Sequence, residues 1–296
     1  MEKISFHDQI AKNKRNSILL GALVFSFLVV FMYVISQVLI PELSIAFLIF
    51  GIVIIIVYTY GSYNYGDKIV LAATNAKLVK EDDRRYTHLI NVVEGLSLAA
   101  GIPKPKIYVI ESDDINAFAC GKNPEHSSVA VTTGLLKNLK RDEIEGVIGH
   151  ELSHIRNYDI RFATLVAVLV GLIAIISHMF LRSFWYGGKR DRDKGGLLIL
   201  IGIVLAVFAP IVVRLVQFAI SRRREFLADA SSVQLTRYPE GLASALEKIM
   251  KINTGKMKVS EAVSHLFFAD PNKSALDSLY ATHPPIKERI KTLRSM

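Results

Sequence analysis

The alternation of apolar and polar positions divides the chain into two kinds of sequence. Four long runs, Ile18 to Ile40, Leu43 to Tyr60, Phe162 to Leu181 and Leu197 to Ile220, are almost wholly apolar and carry no formal charge apart from Arg214. At about 1.5 Å of rise per residue the first run spans roughly 35 Å as a helix, more than the hydrocarbon core of a bilayer requires. It is also far longer than a secretory h-region, so it is expected to remain as an anchor. Pro41 and Glu42 join it tightly to the second run, which predicts a transmembrane hairpin. The second pair is less regular, because Pro210 and Arg214 interrupt the last run and the connection from Arg182 to Gly196 is basic. A charge in mid-span faces a partner or a cavity, or snorkels. Two readings therefore stand for this pair: two full spans, or a hairpin packed wholly or partly within the protein.

Outside the runs the periodicity changes. Asp83 to Ala100 places Leu89, Val92, Val93 and Leu96 at helical spacing and is stopped by Gly101 and Pro103. Lys106 to Ile110, Asn116 to Ala119 and Ser128 to Thr132 are short strand-like runs separated by Asp, Gly, Asn and Pro, which predicts a small sheet. Arg141 to Asn157 reads as a helix with Asp142 and Glu143 in its first turn, Glu225 to Leu235 and Glu240 to Ile252 as two more, and His283-Pro284-Pro285 breaks the chain before a terminal helix. The expected class is α+β, built as a multi-pass α-helical membrane protein. Residues 1–61 form an N-terminal tail and transmembrane hairpin, 62–161 and 221–296 the two parts of one water-facing domain, and 162–220 a second apolar hairpin between them.

Composition agrees with this division. A hydrophobic content of 51% and a mean hydropathy of +0.34 are too apolar for a wholly soluble protein. The net charge of +9 gathers beside the apolar runs, with Lys12, Lys14 and Arg15 before the first and Arg222, Arg223 and Arg224 after the last. Anionic lipid headgroups explain that placement, and without an aromatic-interleaved basic patch nucleic acid is not expected as a partner. No Lys or Arg lies between the first two runs, whereas Lys3 and the first basic group precede them and Lys68, Lys77, Lys80, Arg84 and Arg85 follow. The positive-inside bias then puts both ends of that hairpin in the cytoplasm. The single cysteine, Cys120, excludes an intramolecular disulfide and reads as a small buried side chain.

The candidate chemistry lies in Gly149-His150-Glu151-Leu152-Ser153-His154. Histidines at i and i+4 share one helix face, so their imidazoles can converge on one cation while Glu151 stands beside it to hold and deprotonate a water. A hydrolytic zinc site takes three protein ligands and keeps one open position. The extended motif with a third histidine is excluded, since Ile160 stands ten residues after His150. Glu225-Phe226-Leu227-Ala228-Asp229 is the best source of the third ligand, with Glu225 on the metal and Asp229, one turn later, accepting a hydrogen bond from a ligand imidazole. The alternative for this segment is a surface helix whose acids neutralise Arg222 to Arg224.

Two N-terminal apolar runs, Asn116-Ala117-Phe118-Ala119, the His150-Glu151-x-x-His154 motif, two further apolar runs, Glu225-x-x-x-Asp229 and His283-Pro284-Pro285 together resemble the HtpX-type membrane zinc metallopeptidases, relatives of the CAAX prenyl endopeptidases. The resemblance covers nearly the whole chain. It implies a mainly helical, gluzincin-like peptidase domain with a small sheet, facing the cytoplasm from the cell membrane. It implies one Zn2+ held by His150, His154 and Glu225, catalysis by Glu151, and a role in membrane-protein quality control with misfolded polypeptides as substrates. It further implies that Asn116 and Ala117 lie on a substrate-binding edge and that His283, with Arg289, steadies the tetrahedral intermediate. Against these roles stand a loop asparagine satisfied within its own turn and a helix-capping His283. Cys120 is a departure, since a hydroxyl residue is common there.

The mechanism expected is zinc-assisted peptide hydrolysis with Glu151 as the proton carrier. The rivals are a prenyl-protein endopeptidase and a non-catalytic membrane scaffold with structural zinc or none. The topology has a direct test. With Cys120 replaced by serine, single cysteines near Pro41, Lys137 and Gly188 are challenged in intact cells with a membrane-impermeant thiol reagent. Labelling near Pro41 and protection near Lys137 are expected. Labelling near Gly188 means that both later runs span, and protection there means a cytoplasm-facing or re-entrant hairpin.

Overall fold

The computed structural model describes residues 41–171, 222–255, 257, 259–271 and 284–296, with scattered helical positions between 11 and 33. Most of the first apolar run, half of the third, all of the fourth with its basic connection, and His283 lie outside the described residues.

The second apolar run forms helix α1, Ser44–Ala73, which continues well past Tyr60. The two halves of this helix meet different surroundings. Ile45, Ile49, Phe50, Val53, Ile56, Val57 and Tyr60 all stand exposed on its first half, an apolar surface that water does not tolerate. Val70 and Leu71 on the last turns are buried against the sheet, and that packing explains why the helix outruns its apolar stretch. Among the described residues, Leu48–Ala73 is the one helix long and apolar enough to cross a membrane.

Four strands follow, β1 (Lys77–Leu78), β2 (Lys106–Ile110), β3 (Ala117–Asn123) and β4 (His126–Thr132), in the spatial order β1-β2-β4-β3. The parallel pair β2 and β4 runs in register from Lys106 opposite Ser128 to Ile110 opposite Thr132. The antiparallel β3–β4 hairpin leaves β3 on the sheet edge. Side chains alternate across the sheet, so the two strands of the hairpin serve two cores. Ala117, Ala119, Val129 and Val131 face the helices α2 (Thr87–Ala100) and α4 (Arg141–Arg156), which contribute Leu89, Val93, Val147, Ile148 and Leu152. Phe118, Cys120 and Ala130 face α1 and Phe267. Burial pushes the Cys120 thiol far up, which suits an inert core side chain rather than a nucleophile. Gly101 ends α2 at φ 67, the left-handed cap that its position after Ala100 predicts.

A short helix α3 (Thr133–Asn138) leads into α4, and residues 159–171 form helix α5. After the undescribed segment come α6 (Arg222–Thr236), α7 (Pro239–Ile252), a single turn α8 (Glu261–Ser264) and the terminal α9 (Ile286–Leu293). Helix α4 lies at the centre, against the sheet on one side and α6 and α7 on the other. Its glycines permit this. A Cβ on Gly146 would stand 2.8 Å from the Leu242 nitrogen of α7, and one on Gly149 would stand 2.8 Å from the Ser232 hydroxyl of α6. Ser232 Oγ also donates to the Gly146 carbonyl at 2.7 Å.

Gly146→Ala is accordingly expected to destabilise the chain by ~1–3 kcal/mol, because overpacking against backbone outweighs the ~1 kcal/mol helix-propensity gain. Gly95 in α2 has open space at its Cβ position, so Gly95→Ala is expected to stabilise by ~0.5–1 kcal/mol. Thermal unfolding of the two variants in detergent checks the opposite signs, and a stabilised Gly146→Ala would refute the close-approach account.

Candidate metal centre

Helix α4 carries His150 and His154 one turn apart, and their Nε2 atoms lie 3.1 Å from each other. The close crossing of α6 brings Glu225 to the same point, with Oε2 3.6 Å from His150 Nε2 and Oε1 3.5 Å from His154 Nε2. Tetrahedral zinc with bonds of ~2.0–2.1 Å separates its donor atoms by roughly 3.3 Å. Two imidazole nitrogens and one carboxylate at these spacings therefore fit one Zn2+ and leave a fourth position for water or substrate. Glu151, the neighbour of His150 on α4, is buried and lines the same cavity with Ala163, His265 and Phe268.

Each imidazole is braced on its far side. His150 Nδ1 lies 2.9 Å from Asp229 Oδ1, as the spacing of Glu225 and Asp229 predicts. Asp229 is gripped in turn by Arg289 of α9, with Nε on Oδ2 at 2.9 Å and Nη2 on Oδ1 at 2.7 Å. His154 Nδ1 lies 3.1 Å from Asp159 Oδ2, and Arg224 Nη1 stands 3.4 Å from Asp159 Oδ1. Asp159 carries no motif, and Arg224, expected at the lipid headgroups with Arg222 and Arg223, turns inward to it instead. The signal available was an acid five residues after the second histidine, across a turn that spacing alone does not reveal.

Burial alone would favour neutral His150, but hydrogen bonds to Asp229 and Glu225 outweigh burial and the Arg289 charge, and the imidazole is pushed up to about 9. Asp229 is held down at about 2, because Arg289 and His150 overcome its desolvation. A histidine with a raised value is protonated below it, so the metal-free site carries an imidazolium at neutral pH. Metal must displace that proton.

Asn116, Ala117 and Arg289, expected to face substrate, make contacts within the chain. Asn116 is fully buried, and its side chain pairs with the backbone of Ala269, Nδ2 donating to the carbonyl at 2.8 Å and Oδ1 accepting from the amide at 3.0 Å. Ala117 O accepts from Phe268 N at 2.8 Å. The edge of β3 at Asn116 and Ala117 is thus occupied by the chain's own segment from Leu266 to Ala269, because edge-strand backbone groups need partners. The Phe268 ring packs against both the His150 ring, 4.9 Å away, and the Arg289 guanidinium at 4.7 Å. Arg289 is wholly buried, with Nη2 on Asp229 Oδ1 at 2.7 Å and Nη1 3.8 Å from Glu225 Oε2. His283, expected to act with it, is outside the described residues.

Two measurements follow. Glu225→Ala is expected to lose zinc outright and Asp229→Ala to weaken metal affinity or activity about 10–100-fold. Full zinc occupancy in Glu225→Ala would mean another third ligand. For the unmutated chain, apparent zinc affinity is expected to rise about tenfold per pH unit below pH ~9, with one proton released per ion bound, and to level off above it. Calorimetry in buffers of different ionisation enthalpy reads the proton directly, and zinc binding without proton release would refute the charged metal-free state.

Comparison with known proteins agrees with this site. The family model described as Peptidase family M48 matches residues 83–296, which include every metal-centre residue named above. A protein named Protease HtpX homolog from Caldanaerobacter subterraneus subsp. tengcongensis is 48% identical over 255 residues, covering 84% of each chain. Its namesake from Dictyoglomus turgidum is 44% identical across 100% of this chain and 96% of its own, and that from Streptococcus uberis is 40% identical over 98% and 99%. The crystal structure of S. mikatae Ste24p shares the fold at 19% identity with a TM-score of 0.50, covering 96% of this chain and 66% of that longer one. With a matching model over most of its length and relatives above 40% identity along all of it, the chain belongs to peptidase family M48 and is a zinc metalloprotease.

Proposed function

We propose that this protein is a multi-pass endopeptidase of the cell membrane that cleaves unfolded or misfolded membrane proteins in quality control, with its peptidase domain facing the cytoplasm. The single observation that carries the reading is the convergence of His150, His154 and Glu225 beside Glu151, in a domain whose sheet packs on the end of the apolar helix α1. In this reading residues 1–61 form the first hairpin, 162–220 the second, and 62–161 with 221–296 the peptidase domain. The second hairpin returns Glu225 to the side of the membrane on which His150 lies, since a single crossing would separate them.

His150, His154 and Glu225 hold the zinc ion, which when bound supplies a Lewis acid for the scissile carbonyl and for the attacking water. Glu151 takes the proton of that water and delivers it to the leaving amine. Asp229 and Arg289 keep His150 oriented with its Nε2 toward the metal. The burial of His150, Glu151, Glu225 and Asp229 limits the access of bulk water to these contacts, with His154 half-buried. An extended polypeptide that displaces Phe268 from the β3 edge exchanges backbone hydrogen bonds and makes little demand on sequence, which suits substrates defined by being unfolded.

Glu151→Gln is expected to retain its fold and one zinc per chain while turnover of unfolded casein falls by several orders of magnitude, since an amide cannot accept the water's proton. Wild-type-like turnover in the zinc-loaded variant would remove Glu151 as the base. The unmutated chain is also expected to nick itself during detergent purification while the variant stays intact. Casein cleavage argues for the unfolded-protein reading, and cleavage confined to lipidated peptides would favour a prenyl-protein endopeptidase.

A further inference from the structure

The two imidazoles of the metal centre are braced by matching chains of groups. On one side His150 Nδ1 meets Asp229, and Asp229 meets Arg289. On the other His154 Nδ1 meets Asp159 Oδ2 at 3.1 Å, and Asp159 Oδ1 meets Arg224 Nη1 at 3.4 Å. Asp159 and Arg224 are both largely buried, with side-chain exposures of 8% and 12%. The local backbone is built to make the second chain. Helix α4 ends with Asn157 N on Ser153 O and Tyr158 N on Ile155 O, and Tyr158 adopts φ 60. That left-handed conformation is rare for a bulky residue. It turns the chain back on itself, so that Asp159, the first residue of α5, lies under the second metal histidine. Arg224 reaches the same carboxylate from α6, and its guanidinium also lies 5.9 Å from the ring of Phe162 on α5.

We propose that Asp159 is a positioning residue for His154 and that Arg224 holds Asp159 in place, so that the packing of α5 against α6 sets the orientation of a zinc ligand. By accepting a hydrogen bond from Nδ1–H, Asp159 fixes the tautomer whose Nε2 lone pair faces the metal and raises the basicity of that nitrogen. Asp159 opens α5, which runs into the third apolar run, and Arg224 follows the fourth. The carboxylate therefore ties together the two ends of the chain's second apolar stretch directly behind the metal centre. A shift of either helix end would be transmitted to His154.

The proposal rests on His154 being a ligand, and the experiment separates the two claims. In full-length protein carrying Glu151→Gln to prevent self-cleavage, zinc affinity by chelator competition and the electronic absorption of the Co2+-loaded chain are measured for His154→Ala, Asp159→Asn, Asp159→Ala, Arg224→Met and Asp159→Ala with Arg224→Met. Asp159→Ala is expected to weaken zinc binding about 10–100-fold and Asp159→Asn about tenfold, with altered Co2+ bands in both. Arg224→Met is expected to weaken it less, and the double variant to match Asp159→Ala, since both residues act through one imidazole. Asp159→Glu is expected to recover part of the affinity. An acid that merely favours the start of α5 would lower the unfolding temperature and leave metal affinity and Co2+ bands unchanged. That result overturns the proposal, and if Asp159→Ala fails to fold, parental affinity and bands in Asp159→Asn do so. Parental zinc affinity in His154→Ala sinks the ligand assignment instead. Additive losses in the double variant would remove Arg224 from the chain of contacts.

Discussion

Everything about this site depends on a buried triad, Asp229 held between His150 and Arg289. Asp229 and Arg289 are each nearly inaccessible to solvent, and an isolated charge in such a place is prohibitively costly unless it is paired and hydrogen-bonded. The pairing cannot be made within one element. It requires α4 for the imidazole, α6 for the carboxylate and α9 for the guanidinium, so these three helices must meet at one point for the charges to be tolerated at all. Removing one partner would strand the others, which makes the last helix as much a part of the metal centre as the motif helix, though it supplies no ligand to the cation.

Close approach of α6 is the second requirement, and the sequence meets it with small residues. Gly146 and Gly149 clear the face of α4 that α6 and α7 cross, and Ser232 fills the gap while satisfying the Gly146 carbonyl. The same crossing sets the distance between Glu225 and the histidines. Gly149 stands next to His150 in the motif, so the glycine there is a packing requirement of the metal site rather than a feature of the chemistry.

Much of the frame was legible because it follows from spacing within single elements. The i, i+4 histidines, the Glu225 and Asp229 pair, the strand from Lys106 to Ile110 and the glycine stop after Ala100 each need only local periodicity, and the structure has them all. What could not be read depends on backbone conformation or on contacts between distant segments. The tail of α1 beyond Tyr60 is helical because the sheet covers Val70 and Leu71, and no local pattern announces that. Asp159 acquires its contact through Tyr158 at φ 60, a conformation that its side chain gives no reason to expect. The partner of the β3 edge lies some 150 residues away in sequence, and Asn116 took its expected role from a resemblance that does not include that partner.

The occupied edge bears on how this enzyme can select its substrates. Phe268 N already donates to the Ala117 carbonyl, and Ala269 is held by the Asn116 side chain, so in the proposed reading a substrate on this edge replaces a contact instead of only adding one. Exchange of like hydrogen bonds is close to neutral in free energy. In that reading the surplus that drives binding comes from side-chain burial, and an apolar position beside the metal centre is the one that Phe268 occupies against His150 and Arg289. A chain can compete for it only by presenting a bulky apolar side chain on a free stretch of extended backbone, both of which folded proteins keep buried and unfolded ones expose. In the proposed reading, discrimination between folded and unfolded substrates would follow from the edge being filled, with no need for a recognition sequence.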